Sequence, residues 1–72
     1  MARMRWTPKK IRALRRAYGE HQDVFCLRLG LGVHTLRFWE QGRGKPNGAA
    51  LILLDRLEED LRTGHKRELQ TA

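Results

Sequence analysis

Four stretches of this chain space their apolar residues three and four positions apart, and each stretch stops at a glycine: Gly19, Gly30, Gly42 and Gly64. That spacing puts the apolar side chains on one face of a helix. Glycine, which enters the left-handed region without strain, is the usual residue just past a helix end. Strand signals are absent, so the expected architecture is all-α, with four or five helices in one unit. At 72 residues the chain is a single small domain. A domain of this size buries only about 60% of its unfolded surface, so association with a second copy would help to stabilise it.

The helix starts are marked as well. In Trp6-Thr7-Pro8, Thr7 is an N-cap, Pro8 occupies the first helical position where a missing N–H is no loss, and Trp6 can staple onto Ile11. Helix 1 follows, with Ile11, Leu14 and Tyr18 inward. A short helix 2 is expected over residues 22–29 through Phe25, Cys26 and Leu29. Helix 3 is expected over residues 33–41 with Leu36 and Trp39 inward, and helix 4 over about residues 48–62, capped by Asn47. Residues 1–6 read as a basic N-terminal arm and residues 63–72 as a polar C-terminal tail. The expected core joins Phe25, Leu29, Leu36 and Trp39 to Ile11, Leu14, Leu51, Leu54 and Leu57.

Charge is unevenly spread. The chain holds 15 Lys and Arg against 8 Asp and Glu, a net +7. Residues 1–54 carry 11 bases and 3 acids (+8), and residues 55–72 carry 4 bases and 5 acids (−1). So large an excess on one part of a small domain draws polyanions at long range. The single cysteine excludes an internal disulfide, no apolar run nears the roughly 20 residues needed to span a membrane, and residues 1–6 lack an apolar signal core. A cytoplasmic protein, nucleoid-associated when bound, is expected.

Two helices split by a glycine-containing turn, the second with a basic outer face, describe a helix-turn-helix. Gln22, the small residue Cys26, Gly30 in the turn, Leu36 and Trp39 stand at the offsets seen in the Cro/phage-repressor (Xre) helix-turn-helix family. The segment WEQGRGKPNGAALILL resembles the W-E-x-G-x-x-x-P-x-G-x-A stretch of small antitoxin-like and phage-regulator members. The resemblance covers roughly residues 8–58. It implies a compact lambda-repressor-like bundle of four to five helices that binds double-stranded DNA. Physical reasons accompany it: a small side chain at Cys26 lets helices 2 and 3 approach, and Gly30 supplies the freedom a tight turn needs. Cys26 therefore reads as core in preference to a redox or metal role.

The resemblance implies base-reading sites at Val33, His34, Arg37 and Phe38 on a helix 3 lying in the major groove. An arginine at Arg37 suits guanine O6 and N7. Val33 and Phe38 suit thymine methyl groups, although Phe38 stands where relatives carry a long polar or basic residue, and contact with another protein is its alternative. Backbone phosphates would be held by Gln22, Thr35, Arg43 and Lys45, with Lys9, Arg3 and Arg5 as weaker candidates. Lys9 and Lys10 oppose the dipole of helix 1, which leaves phosphate contact and plain solvation open as their roles. Two caps depart from the family pattern: His21 replaces Ser or Thr before Gln22, and Gly32 replaces a hydroxyl residue before helix 3.

Glu40 is the only carboxylate between Val24 and Leu54. In the family it resembles, an arginine late in helix 1 pairs with the glutamate after the helix-3 aromatic, and Arg15 and Glu40 hold those positions. A structural ion pair is thus implied, its alternative being a solvated carboxylate that trims excess charge. Helix 4 is apolar at 51, 52, 53, 54, 57 and 61, more than one core stripe requires. Ile52, Leu53 and Leu61 are the expected homodimer face, rimmed by Asp55, Glu58, Glu59 and Asp60; a helix buried all round is the alternative.

No nucleophile with a nearby base, no paired carboxylates and no phosphate loop on a strand occur, so no enzyme is expected. His21, Cys26, His34 and His65 lack zinc spacing, and no cofactor or metal is expected. The function expected is a sequence-specific, dimeric repressor of phage or plasmid type, reading a palindromic operator, with control of its own operon as one use. The rival is an antitoxin whose main task is to bind a protein toxin; antitoxins usually carry a wrapping extension, and here about six residues precede helix 1 and ten follow helix 4. Nonspecific coating of nucleic acid is a third possibility, marked by affinity that ignores sequence.

Overall fold

Two of the four helices begin at a side-chain cap, and a glycine at positive φ follows the end of each. A computed structural model of the protein describes residues 6–64. The basic arm with Arg3 and Arg5, and most of the tail with His65, lie outside the described residues. Helix α1 (Pro8–Ala17) starts where the Thr7 hydroxyl accepts the Lys10 N–H at 3.1 Å. An N-cap of this kind contributes about 1 kcal/mol. Helices α2 (Gln22–Leu29) and α3 (Val33–Gln41) start at His21 and Gly32, neither of which supplies a capping side chain. Helix α4 (Gly48–Arg62) is capped by the Asn47 side chain, which accepts the Ala50 N–H at 3.1 Å. Among the described residues there is no strand, and they form an all-α bundle of four helices.

The turn between α2 and α3 is the tightest, and its glycine is required. Gly30 sits at φ +69°, in the left-handed region. There its N–H reaches the Leu27 carbonyl, and the Leu31 N–H reaches the Cys26 carbonyl, both at 3.2 Å. These two bonds satisfy carbonyls the helix end would leave bare. Gly42, at φ +78°, ends α3 in the same way, with the Arg43 N–H on the Phe38 carbonyl at 2.8 Å.

The helices bury one shared core. Helix α3 packs on α1 and α2, and α2 packs on α4. The core gathers Ile11, Leu14 and Tyr18 from α1 and its end, Phe25, Cys26 and Leu29 from α2, Leu36 and Trp39 from α3, and Ala50, Leu54 and Leu57 from α4. Full burial of a large aliphatic or aromatic side chain stabilises by about 1.5–3 kcal/mol, and Trp6, Phe25, Ile11, Leu36 and Leu54 are completely enclosed. Leu51, expected in the core, is only half-buried against its edge, and Ala50 takes the inner position.

Polar atoms inside are matched. The Tyr18 hydroxyl donates to the Leu57 carbonyl at 2.8 Å, joining the end of α1 to α4. Trp6 does more than staple onto the first turn: its indole Nε1 donates to Asp55 at 2.7 Å, anchoring the residue before α1 to the middle of α4. Among the described residues, no buried side-chain nitrogen or oxygen lacks a hydrogen-bond partner.

The surface of α4 separates the three residues expected at the dimer face. Ile52 is 64% exposed and Leu53 is 37% exposed, so both stand outward. Leu61 lies on another side of the helix. It is half-buried and packs on the core, because nine residues at 3.6 per turn place it about half a turn from Ile52. Two of the expected rim acids are occupied elsewhere: Asp55 by Trp6, and Glu58 by Lys10 at 3.1 Å.

Candidate nucleic-acid interface

Helix α3 offers one continuous outward stripe. With Leu36 and Trp39 committed to the core, residues His34, Arg37, Phe38 and Gln41 recur at steps of three and four on the opposite side, and all four are exposed. Thr35 flanks the stripe and is exposed too, while Val33 is half-buried against the core and offers only part of its side chain. Phe38 is 49% exposed, beside Gly44, where an added Cβ would lie 3.7 Å from the Phe38 Cβ. The exposed face of α3 carries no carboxylate.

The single acid of this helix points inward. Glu40 is 5% exposed and has the donors of two other helices around it. Arg15 of α1 meets it side-on, Nε to Oε2 at 2.8 Å and Nη2 to Oε1 at 3.1 Å. Gln22 of α2 donates its Nε2 to Oε1 at 3.0 Å. The remaining Arg15 donor, Nη1, bonds the Glu20 carbonyl at 3.1 Å. A two-point guanidinium–carboxylate contact fixes orientation as well as distance, so Glu40 ties the end of α3 to α1 and α2. A solvated carboxylate trimming excess charge is incompatible with this burial.

Arg12 adds a second tie that the sequence did not disclose. Its Nη1 donates to the Glu40 carbonyl at 2.5 Å, placing a cation on the last turn of α3, where the helix dipole favours it. Glu20 is likewise held: Arg28 grips it at 2.8 and 2.7 Å while stacking over the Tyr18 ring, 4.5 Å from its centroid.

Gln22 also faces α3. Its Oε1 accepts the Arg37 Nε–H at 3.3 Å, so a chain of contacts runs from Arg15 through Glu40 and Gln22 to Arg37. These side chains border an open polar hollow at the start of α2, lined by Arg15, His21, Gln22, Asp23 and Arg37. Asp23 is exposed in the first turn of α2, where its charge suits the helix dipole and works against a phosphate in the same hollow.

The remaining expected phosphate contacts gather at the other end of α3. Arg43 and Lys45 are exposed in the loop that follows it. Pro8, at the start of α1, packs against this loop, its Cγ 3.8 Å from where a Gly42 Cβ would lie, and Lys9 is exposed next to it. Lys10 separates from Lys9 in role: it bonds Glu58 and lies 4.7 Å over the Trp6 ring. Cys26 is buried, its Sγ 3.3 Å from the Asp23 carbonyl. Among the described residues, no helix is long and apolar enough to cross a membrane.

Taken together, these features define a small helix-turn-helix bundle whose second turn-flanking helix turns a basic, acid-free stripe outward. Over 48 residues, 67% of this chain, the sequence is 40% identical to antitoxin HigA-2 of Vibrio cholerae serotype O1. That stretch is 46% of the relative, so the chain spans about half the length of the curated protein it matches. No family model and no solved structure matches the chain.

Proposed function

We propose that the protein is a sequence-specific regulator of transcription that binds double-stranded DNA in the cytoplasm of a bacterial host, with α3 in the major groove. The observation that carries this reading is the exposed stripe His34, Arg37, Phe38 and Gln41, kept free of carboxylates because Glu40 is turned into the protein and bonded there. On this reading His34, Arg37 and Phe38, with the exposed part of Val33, meet base edges. Thr35, Arg43, Lys45 and Lys9 hold phosphates on either side. Gln22 uses its amide on Glu40 and Arg37 and is given no phosphate in this reading.

One such module reads few base pairs, so a two-fold dimer on half-sites about 10 bp apart is the natural active form. Ile52 and Leu53, outward on α4, are the proposed contact between copies. A dimer on a palindromic operator acts most simply as a repressor, with no cofactor and no catalytic chemistry of its own. The second reading, favoured by the matched relative being an antitoxin, is that the main partner is a protein toxin and DNA binding serves autoregulation.

Selecting bound sequences from a random duplex pool tests the first reading. Enrichment of one palindrome is the expected result. A pool that stays random, with binding that falls with salt alone, would overturn it. Co-expression with the product of the adjacent reading frame separates the second: a stable complex that relieves growth arrest is its signature.

A further inference from the structure

We infer that Gln22 is a positioning residue that decides which edge of the Arg37 guanidinium is offered to a base, and that it takes this orientation from the buried Glu40. The inference rests on the DNA-reading function proposed above and names a residue that sets its specificity. A glutamine amide has a donor end and an acceptor end, and an isolated one turns either way. Here the choice is removed. Glu40, already gripped by Arg15, presents acceptor oxygens, so the Gln22 end facing it is the NH2 group, at 3.0 Å. The carbonyl end then has to face α3, where it accepts the Arg37 Nε–H at 3.3 Å.

That contact selects among the donors of Arg37. Guanidinium binds guanine O6 and N7 either along the Nε edge or through the two terminal nitrogens. With Nε occupied by Gln22, the terminal pair Nη1 and Nη2 is the fork left for the groove. The same contact narrows the range of a long exposed side chain before DNA arrives, so less freedom is lost on binding. Arg15, Glu40 and Gln22 thereby link the helix-clamping ion pair to base reading, although only Arg37 touches the base.

The test uses the full chain and the preferred duplex recovered by selection. Gln22→Met keeps the length of the side chain and removes both hydrogen bonds. Its discrimination is measured against the same duplex carrying 7-deazaguanine, which lacks the N7 acceptor, at the position Arg37→Ala makes indifferent, at a temperature where circular dichroism shows all variants folded. We expect Gln22→Met to reduce that discrimination by about 3- to 10-fold, the scale of one hydrogen bond. Affinity for random duplex and the salt slope should stay unchanged, and Gln22→Met should add nothing in an Arg37→Ala background. In the free protein, NMR should show faster exchange of the Arg37 Nε proton in the variant.

A uniform loss on selected and random duplexes alike would make Gln22 a phosphate contact and overturn the inference. So would a loss that persists without Arg37, or an Arg37 Nε proton whose exchange does not change. If selection recovers no preferred sequence, the DNA-reading function itself fails and takes this role of Gln22 with it. A preferred sequence whose discrimination Gln22→Met leaves intact sinks the positioning role alone.

Discussion

Replacing Glu40 by alanine removes the acceptor shared by Arg15 Nε, Arg15 Nη2 and Gln22 Nε2. Taking one partner from a buried ion pair costs about 3–5 kcal/mol, mostly because the other charge stays behind without compensation. The lower end applies here. The Arg15 side chain is 14% exposed, it keeps its bond to the Glu20 carbonyl, and the polar hollow beside it admits water. A loss of about 3 kcal/mol is therefore expected. A chain of 72 residues has a total stability of about 4–11 kcal/mol, so this is a large share. For a domain of this size each kcal/mol moves the melting temperature by about 4–8 °C, giving a drop of roughly 12–24 °C. Thermal unfolding followed by circular dichroism reads it, with Glu59→Ala as the control. Glu59 and its partner Arg62 are both exposed, and such a pair contributes about 0.5 kcal/mol or less. Arg15→Met combined with Glu40→Ala should recover part of the loss, because the stranded charge is gone. A Glu40→Ala melting temperature no lower than that of Glu59→Ala would refute the assignment of Glu40 as the clamp of α3.

Arg37→Ala should lower affinity for the selected duplex and relax one base preference, about 1–3 kcal/mol of discrimination, whereas Lys45→Ala should weaken selected and random duplexes equally and flatten the salt slope by about one. Equal losses on both duplexes for both variants would defeat the division between base and phosphate contacts. Ile52→Lys should shift the protein toward monomer in sedimentation without lowering its melting temperature. Leu61→Ala should do the reverse, and a Leu61→Ala monomer of undiminished stability would return Leu61 to the interface. Trp6→Phe loses the bond to Asp55 together with part of a fully enclosed ring. A drop of about 1.5–3 kcal/mol in denaturant unfolding is expected, and a neutral result would show that the anchor onto α4 contributes nothing.

The helix limits are legible in the sequence because their causes are local. Thr7 and Asn47 cap from within three residues, and Gly30 and Gly42 adopt positive φ where the chain must turn. Periodicity likewise finds Leu36, Trp39, Phe25 and Leu29, since one helix face suffices to identify them. Partners far apart along the chain are another matter. Nothing near Trp6 announces a bond to Asp55, 49 residues away, and nothing near Arg12 announces the Glu40 carbonyl. The Arg15 and Glu40 pairing came only through family resemblance, and the Gln22 link between Glu40 and Arg37 escaped even that. Leu61 shows a different limit. Counting apolar residues on α4 reveals that a second face exists, but only the angular positions of Ile52 and Leu61 show that they look in opposite directions. Lys9 and Lys10 are neighbours of identical charge, and only packing tells the solvent-facing one from the one bound to Glu58.

The inward turn of Glu40 has a consequence that operates before any contact is made. Two acids of α4 are paired close at hand, Glu58 with Lys10 and Glu59 with Arg62. Along α3 and its following loop, Arg37 has an uncharged amide for a neighbour, and Arg43 and Lys45 stand exposed. A tumbling copy thus meets an approaching polyanion with unequal ends, and collisions led by α3 are accelerated over the rest. Raising ionic strength should slow arrival, since a Debye length of about 8 Å at physiological salt mutes the distant pull.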